Sequence, residues 1–319
     1  MICLVETSYI IKVRFGGCID CIFGRLEFRL SCLWVYQLGR ALMHYFFYTG
    51  MAIALWATFA SLVSEVSHMP PFFILAITLG IGGCLSIAQY RQWQLSWRVL
   101  LFGVAGIFGY HFLLIMAFRL APPVEANLIN YLWPLLIVLL SPIILPGFRL
   151  SWTHWLGGAF GFIGVVVLVG DWRTLHFNGA DFLGYILALA AALVWASYSL
   201  VSKRLESMST ATVGLFCLLS GAIALLMHWG FETSVTLSSG DWWRLLALGL
   251  GPMGMAFYCW DAGLKKGDPR IIGTLSYLTP LLSTLLLLVI SQRGFEWPVF
   301  IALALIVGGA FVSSYRLSR

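Results

Sequence analysis

The sequence predicts an all-α membrane protein with ten transmembrane helices in two inverted five-helix repeats. Three observations support this fold class. The chain of 319 residues is 61% hydrophobic and only 10% charged, whereas soluble domains carry about 25% charged residues. Its apolar residues form ten runs close to the ~20 residues that cross a bilayer. The second five runs also repeat sequence features of the first five. Lys and Arg are scattered between the runs rather than gathered on one face, so we expect no nucleic-acid partner.

Residues 1–42 differ from the rest of the chain. Lys and Arg interrupt every apolar run there before it is long enough to span a bilayer, and the order of a signal peptide is missing. We expect a non-core N-terminal extension, with Met43 or a nearby codon close to the start. Cys18 and Cys21 have the spacing of half a zinc site, but the segment holds too few further ligands, so we expect no metal.

The ten apolar runs fall into two sets of five that are joined by short connections, which leaves no room for a soluble domain. We expect the first repeat over residues 43–172 and the second over residues 173–319. The predicted spans are residues 48–64, 71–89, 98–118, 124–145, 152–169, 182–202, 210–229, 243–264, 271–290 and 298–314.

The distribution of Lys and Arg predicts the orientation in the membrane, because cytoplasmic loops carry an excess of these residues. With the N-terminus inside, the tails and connections on that side hold 15 of the 19 Lys and Arg residues. Both termini are therefore expected in the cytoplasm. Five spans per repeat is an odd number, so the second repeat lies inverted relative to the first. Inverted repeats place a binding site near the bilayer midplane and permit alternating access.

Polar and aromatic residues lie inside the fourth apolar run, at residues 127–134. A proline in this stretch has no N–H for the carbonyl four residues earlier, so the helix must bend or open. Helical spacing places several of the residues on one face, which we predict to line a cavity. Amides that hold helices together and a tolerated kink would give the same pattern. The face consists of Asn127, Asn130, Tyr131 and Pro134, with Trp133 beside it.

The pattern recurs 146 positions later, where Pro280 corresponds to Pro134. Near the start of each half, Trp56 corresponds to Trp195 at an offset of 139. The chain is therefore a duplication, and we predict that both prolines act as helix hinges. In the second copy, Ser276 and Thr279, with the carbonyl freed by Pro280, offer a weaker set of hydrogen-bonding groups, and Tyr277 stands at the position of Tyr131.

These features resemble the drug/metabolite transporter (DMT) superfamily, EamA type. The likeness is carried by the ten spans, a Trp followed by a small residue early in each half, and the run Asn-Tyr-Leu-Trp-Pro at residues 130–134, with Glu125 five residues before it. Within the superfamily the run resembles the YddG-like aromatic amino-acid exporters, over residues 43–319. The resemblance implies export of aromatic and other neutral amino acids across a bacterial inner membrane.

The residues themselves favour a similar solute. Amphipathic rings near the middle of the spans suit stacking on an aromatic molecule, and uncharged amides can bind either end of a zwitterion. Glu125 at the start of the fourth span and His111 in the third span each allow two interpretations, a role in helix capping or packing and a role in gating. We expect substrate binding by Trp133, Trp195, Tyr110, Tyr131, Asn130, Asn127, Tyr258, Ser276 and Tyr277, and gating or hinge roles for Pro134, Pro280, Glu125 and His111.

The chain has no phosphate-binding loop and no motif of a hydrolase, so we expect no enzymatic activity, no direct use of ATP and no cofactor. The first span has no acidic residue before Glu65, unlike the small multidrug carriers of the same superfamily. Facilitative transport is therefore the expected mode. The expected partners are amino acids and the lipid bilayer of a bacterial inner (plasma) membrane, with the protein as a monomer.

Other functions remain compatible with parts of the pattern. An exporter of drugs or another small metabolite, with or without proton coupling, would share the architecture and differ in substrate. A lipid flippase or intramembrane enzyme would need charged residues along a lipid-facing groove, which the sequence does not show. A structural or receptor protein would not need two repeated proline hinges.

Overall fold

A computed structural model of the chain describes residues 45–169, 178–290 and 297–315. All regular secondary structure in these ranges is helical, which confirms the all-α part of the predicted fold class. Six of the described helices are long and apolar enough to cross a membrane by length and composition, and three further apolar helices are shorter. The expected N-terminal extension, residues 1–42, and the two cysteines at its centre lie outside the described residues.

We number the helices in chain order and count a helix interrupted by a single turn as one. The sequence prediction for the second span, residues 71–89, is too long: the helix ends at Cys84, and residues Ile87–Gln92 form a separate 3₁₀ segment. The helices are α1 Tyr45–Ser64, α2 Pro71–Cys84, α3 Trp97–Leu120, α4 Pro123–Ile144, α5 Trp152–Val169, α6 Phe182–Arg204, α7 Thr212–Phe231, α8 (Ser239–Leu250, Gly251–Met255 and Ala256–Lys266), α9 Pro269–Ile290 and α10 Trp297–Ser314.

Interruptions occur at corresponding places in the two halves. A π-helical turn lies in α3 at Ala105–Gly109 and another in α8 at Gly251–Met255, which is the 146-residue offset of the sequence repeat. Helix α4 is broken between Asn130 and Trp133, and α9 is broken between Leu275 and Leu278. Proline explains the second pair, because Pro134 and Pro280 cannot donate to the preceding turn. Single π-helical turns within α-helices often occur at functional sites.

Helix pairs from opposite halves pack against each other. Helix α2 packs on α7, and α5 packs on α10. Glycines permit the close approach: a Cβ atom on Gly83 would lie 2.7 Å from the carbonyl of Gly214, and one on Gly157 would lie 2.5 Å from the carbonyl of Gly309. Small residues at such contacts are typical of helices that associate in lipid.

The outer surface of the described helices carries many large apolar side chains. Ile143, Trp152, Trp229, Phe231 and Phe311 are each more than 70% exposed. An exposed apolar surface of this extent is expected for helices whose solvent is lipid rather than water.

Candidate functional site

Six helices, α1, α3, α4, α6, α8 and α9, contribute residues to a cavity of about 420 Å³. This volume lies in the range of small-molecule sites. Among the described residues that line it, none carries a formal charge. The wall consists of Trp56, Phe59, Ala60, Val63, Ser64, Tyr110, His111, Leu114, Phe118, Asn127, Asn130, Tyr131, Trp133, Trp195, Met253, Phe257, Thr279 and Ser283.

An aromatic cluster of Trp56, Trp133, Trp195, Phe257 and Trp260 forms one side of the cavity. The Trp56 ring is the centre of the cluster, at 5.2 Å from the Trp260 ring and 5.8 Å from the Trp195 ring. Trp133 lies 6.4 Å from Trp195 with the two rings perpendicular. Edge-to-face contacts of this kind are favourable between aromatic rings, so the cluster holds a fixed wall of ring faces and edges.

The cavity extends toward the end of the molecule where α1 and α3 finish, because Ser64 is the last residue of α1 and Phe118 lies two residues before the end of α3. We call this the mouth end. Glu232 joins helices there by accepting hydrogen bonds from the backbone N–H groups of Phe72 and Phe73 and from the Arg119 side chain. At the start of α8, also at the mouth end, the Ser238 N–H and hydroxyl donate to the Asp241 carboxylate and hold its pKa below the usual value.

The opposite end, which we call the closed end, is held by a buried polar network. The Asp261 carboxylate accepts hydrogen bonds from the Ser202 hydroxyl, from Thr210 Oγ1 at 2.6 Å and from Lys265 Nζ at 2.7 Å. Lys265 Nζ also donates to the carbonyl of Met208 at 2.7 Å. Because Asp261 and Lys265 are 3% and 8% exposed, the network joins α6, α8 and the connection between α6 and α7 away from water.

Lys203 adds a second connection at the closed end. Its ammonium group donates to the carbonyls of Leu264, Lys265 and Gly267, at distances of 3.0, 3.2 and 2.7 Å. These carbonyls lie at the C-terminal end of α8, where carbonyl groups have no N–H partner within the helix. A cation at a helix C-terminus is also favoured by the helix dipole. The end of α6 is therefore fixed to the end of α8.

The structure places seven of the predicted site residues on the cavity wall. The first-half residues Asn127, Asn130, Tyr131 and Trp133 come from the two parts of α4 on either side of its break. Asn130 Nδ2 donates to Tyr110 Oη at 3.4 Å. Tyr110 is therefore also on the wall, and His111 and Trp195 are the last two of the seven.

His111 is oriented by the π-helical turn that precedes it. Its Nδ1 lies 2.7 Å from the carbonyl of Ile107, and its ring lies 4.9 Å from the Tyr110 ring. In the second half, the carbonyl of Pro252 in the corresponding turn accepts a hydrogen bond from Trp56 Nε1 at 3.1 Å. In both halves a ring N–H group therefore donates a hydrogen bond to a carbonyl of the π-helical turn.

Three predicted binding residues lie away from this cavity. Tyr258 donates to the carbonyl of Gly82 at 2.9 Å and lines a second cavity of about 650 Å³ near the closed end. Ser276 donates to the carbonyl of Ile272, one turn back in its own helix, at 2.7 Å. Tyr277 is fully buried, and its ring fills the space opposite Gly161, where a Cβ atom would lie 2.2 Å from it.

Of the four predicted gating residues, His111 lies on the cavity wall, and the other three lie outside it. Pro134 and Pro280 are buried, and each lies in the first turn of the second part of its broken helix. The two broken helices meet there, since a Cβ atom on Gly273 would lie 2.8 Å from the carbonyl of Pro134. Glu125 is buried in the first turn of α4.

Sequence reasoning missed Trp56 and Phe257 as lining residues. Signals for them were present, because each corresponds by the repeat offset to a predicted residue, Trp56 to Trp195 and Phe257 to His111. Thr279, which the sequence offers as a polar group of the second copy, also lies on the wall. The repeat therefore identifies positions of the wall even where the residue type changes.

Comparison with known proteins identifies the family. The model of the EamA-like transporter family matches the chain twice, over residues 42–170 and 182–315. The protein named aromatic amino acid exporter YddG in Ancylobacter novellus is 46% identical over 277 residues, which cover 84% of this chain and 96% of that relative. The protein of the same name in Escherichia coli (strain K12) is 25% identical over 82% of this chain and 94% of the relative.

A solved crystal structure at 44% sequence identity matches with a TM-score of 0.80 and covers 84% of this chain and 97% of that chain. The family resemblance drawn from the sequence motifs is thus confirmed, and the relatives are named as transporters rather than enzymes. The apolar helices and the family match together show that the chain is a multi-pass membrane protein that belongs to the EamA-like transporter family.

Proposed function

We propose that this protein exports aromatic and other neutral, apolar amino acids across a bacterial inner membrane by facilitative alternating access. The observation that carries the proposal is the cavity of about 420 Å³ between the mouth end and the aromatic cluster. Its rings suit an aromatic or flat apolar side chain, and its amides suit the polar groups of an amino acid. The absence of formal charge on the described lining residues favours solutes without net charge. Two relatives named as aromatic amino acid exporters support the substrate class.

The proposal includes the full architecture. Ten helices cross the membrane in two inverted repeats, over residues 43–172 and 173–319, with both termini in the cytoplasm. The interruptions that recur 146 residues apart support the repeats, and the excess of Lys and Arg on one side supports the orientation. With this orientation the mouth end faces the outside, and the Asp261 network closes the path to the cytoplasm.

The lining residues then have distinct roles in transport. Trp133 and Trp195 contact the substrate ring, with Tyr110 and Tyr131 beside them, and Asn127 and Asn130 bind its polar end. Access from the cytoplasm requires the closed end to separate, and the breaks at Pro134 and Pro280 are the points where α4 and α9 bend. We expect that the protein works as a monomer and needs no cofactor.

A second candidate is export of aromatic drugs or another small metabolite. Ring faces attract organic cations as well as aromatic side chains, and the same wall would serve both. Competition by such compounds against an amino acid distinguishes the two functions.

The test is counterflow in liposomes. Purified protein is reconstituted, the vesicles are loaded with unlabelled phenylalanine, and uptake of labelled phenylalanine or tryptophan is followed with and without a pH gradient. We expect saturable exchange that the gradient does not change. Exchange of cationic aromatic drugs with no exchange of any amino acid would contradict the proposal and favour the second candidate. Protein-free liposomes are the control.

A further inference from the structure

Two polar atoms on the cavity wall have no hydrogen-bond partner in the part of the chain that the structure describes. Asn130 is 3% exposed, and its Oδ1 is buried without a partner, whereas its Nδ2 donates to Tyr110. The hydroxyl oxygen of Thr279 is likewise buried and unpartnered. Buried polar groups are nearly always paired, and an unmade hydrogen bond is costly. Both residues line the same cavity, so a ligand there could complete both bonds.

The chemistry of the two atoms favours a hydrogen-bond donor as the ligand. An amide Oδ1 can only accept, and a threonine hydroxyl oxygen accepts through two lone pairs. A primary ammonium group brings three N–H donors and is also attracted to aromatic faces, of which the cavity has several. A carboxylate would place its own acceptors against Asn130 Oδ1 and gain nothing from it.

The two residues come from opposite halves but are not related by the repeat. Asn130 corresponds to Ser276, whose hydroxyl is already bonded to Ile272, and Thr279 corresponds to Trp133, which faces the cavity as a ring. The repeat therefore does not produce a second copy of the two unpartnered oxygens. They lie beside the breaks in α4 and α9. A substrate held there has its ammonium group at the breaks and its side chain against the aromatic cluster.

We propose that Asn130 Oδ1 and Thr279 Oγ1 form a subsite for the α-ammonium group of the substrate. This inference rests on the proposed transport of amino acids. It implies that the protein recognises its substrates as primary amines: an aromatic amine without a carboxylate binds the cavity, and an aromatic acid without an amine does not.

The wild-type protein provides the first test. Counterflow of labelled phenylalanine in proteoliposomes is measured with increasing phenethylamine or 3-phenylpropionate, which share the ring and lack the carboxylate or the amine. We expect phenethylamine to inhibit at concentrations at least about tenfold lower, the size of effect expected for a hydrogen bond to a charged group. Inhibition by 3-phenylpropionate as strong as that by phenethylamine would overturn the proposal.

Variants provide the second test. Asn130→Leu and Thr279→Val remove one acceptor each and should weaken inhibition by phenethylamine on the order of tenfold. Thr49→Val is the matched control, because Thr49 Oγ1 is also buried and unpartnered but lies off the cavity, and it should leave inhibition unchanged. Unchanged inhibition in folded Asn130→Leu and Thr279→Val would contradict the subsite.

The two proposals fail in different ways. No exchange of any amino acid by the wild-type protein would contradict the proposed function and remove the basis of the subsite. Exchange of phenylalanine without preference for the amine would leave the proposed function intact and contradict only the subsite.

Discussion

In the first half of the chain, the break in α4 presents Asn130 and Trp133 to the cavity, whereas the corresponding break in α9 presents only Thr279 and buries Ser276 and Tyr277. The backbone interruptions are the same in both halves, because proline and the π-helical turns recur at equal spacing. The side chains on them differ. The comparison teaches that duplication supplied the bent scaffold, and that divergence of single positions left the first half with most of the cavity wall.

The largest expected effect concerns the rings of the cavity wall. Trp133→Ala and Trp195→Ala should reduce phenylalanine counterflow roughly tenfold or more while the protein stays folded, because each ring supplies stacking and buried area to an aromatic substrate. Trp229→Ala is the matched control, since Trp229 is 71% exposed on α7. Flux is measured in proteoliposomes and folding by thermal unfolding in detergent. Wild-type flux in both cavity variants would exclude these two rings, one from each half, from the binding site.

The second comparison concerns two cations at equivalent positions, Arg119 in the first half and Lys265 in the second. Lys265→Met leaves the buried Asp261 carboxylate without its cation and should cost about 3–5 kcal/mol of stability. Arg119 is 46% exposed, and its partner Glu232, which is 4% exposed, keeps the hydrogen bonds from the N–H groups of Phe72 and Phe73, so Arg119→Met should cost less, about 1 kcal/mol. Thermal unfolding of both variants checks the difference, and equal losses would show that the closed end is no more tightly held than the mouth end.

The π-helical turn of α3 contains two glycines whose surroundings differ. In the first half, a Cβ atom on Gly106 would lie 2.2 Å from the Tyr198 ring, and that ring is stacked on Phe102 at 5.1 Å. Gly106→Ala should therefore cost about 1–3 kcal/mol through overpacking. Gly109, in the same turn, has open space around it, and Gly109→Ala should be nearly neutral. Similar unfolding temperatures for the two variants would contradict this packing.

The smallest expected effect concerns the starts of α3 and α8. Ser238 forms a capping box with Asp241, whereas Ser96 makes no side-chain cap at the equivalent helix start. Ser238→Ala should cost about 1 kcal/mol, and Ser96→Ala should cost close to nothing. The shift in unfolding temperature measures each cost. A larger loss for Ser96→Ala would reverse the comparison between the halves.

Much of the fold follows from local chemistry and could be predicted from the sequence. Apolar runs give the helices, and Pro134 and Pro280 fix the breaks because each lacks an N–H. The end of α2 was misjudged, since hydropathy counts apolar residues and does not register the 3₁₀ segment Ile87–Gln92. In the first half the lining face was also predictable, because residues three and four apart share a helix face.

The second half of the site was not predictable from the same rule. Tyr277 has the same local pattern as Tyr131, yet its ring is directed into the space opposite Gly161 and away from the cavity. Which face of a helix turns toward the centre depends on the shape of its neighbours, and this shape is not encoded in the segment itself. Trp56 was missed for a related reason, since a single ring in an apolar run has many equivalent packing positions.

The sequence by itself determined that this is a helical membrane protein, that it is duplicated, that its fourth helix is broken beside two amides, and which family it resembles. These are properties of composition, spacing and the chemistry of proline. Only the tertiary structure decided that Asn130 and Thr279 line one cavity, that Trp56 is the centre of the aromatic wall, and that Asp261 and Lys265 join α8 to α6 and to the connection between α6 and α7 at the closed end. Each of these contacts links residues far apart in the chain, and only the packing of whole helices brings them together.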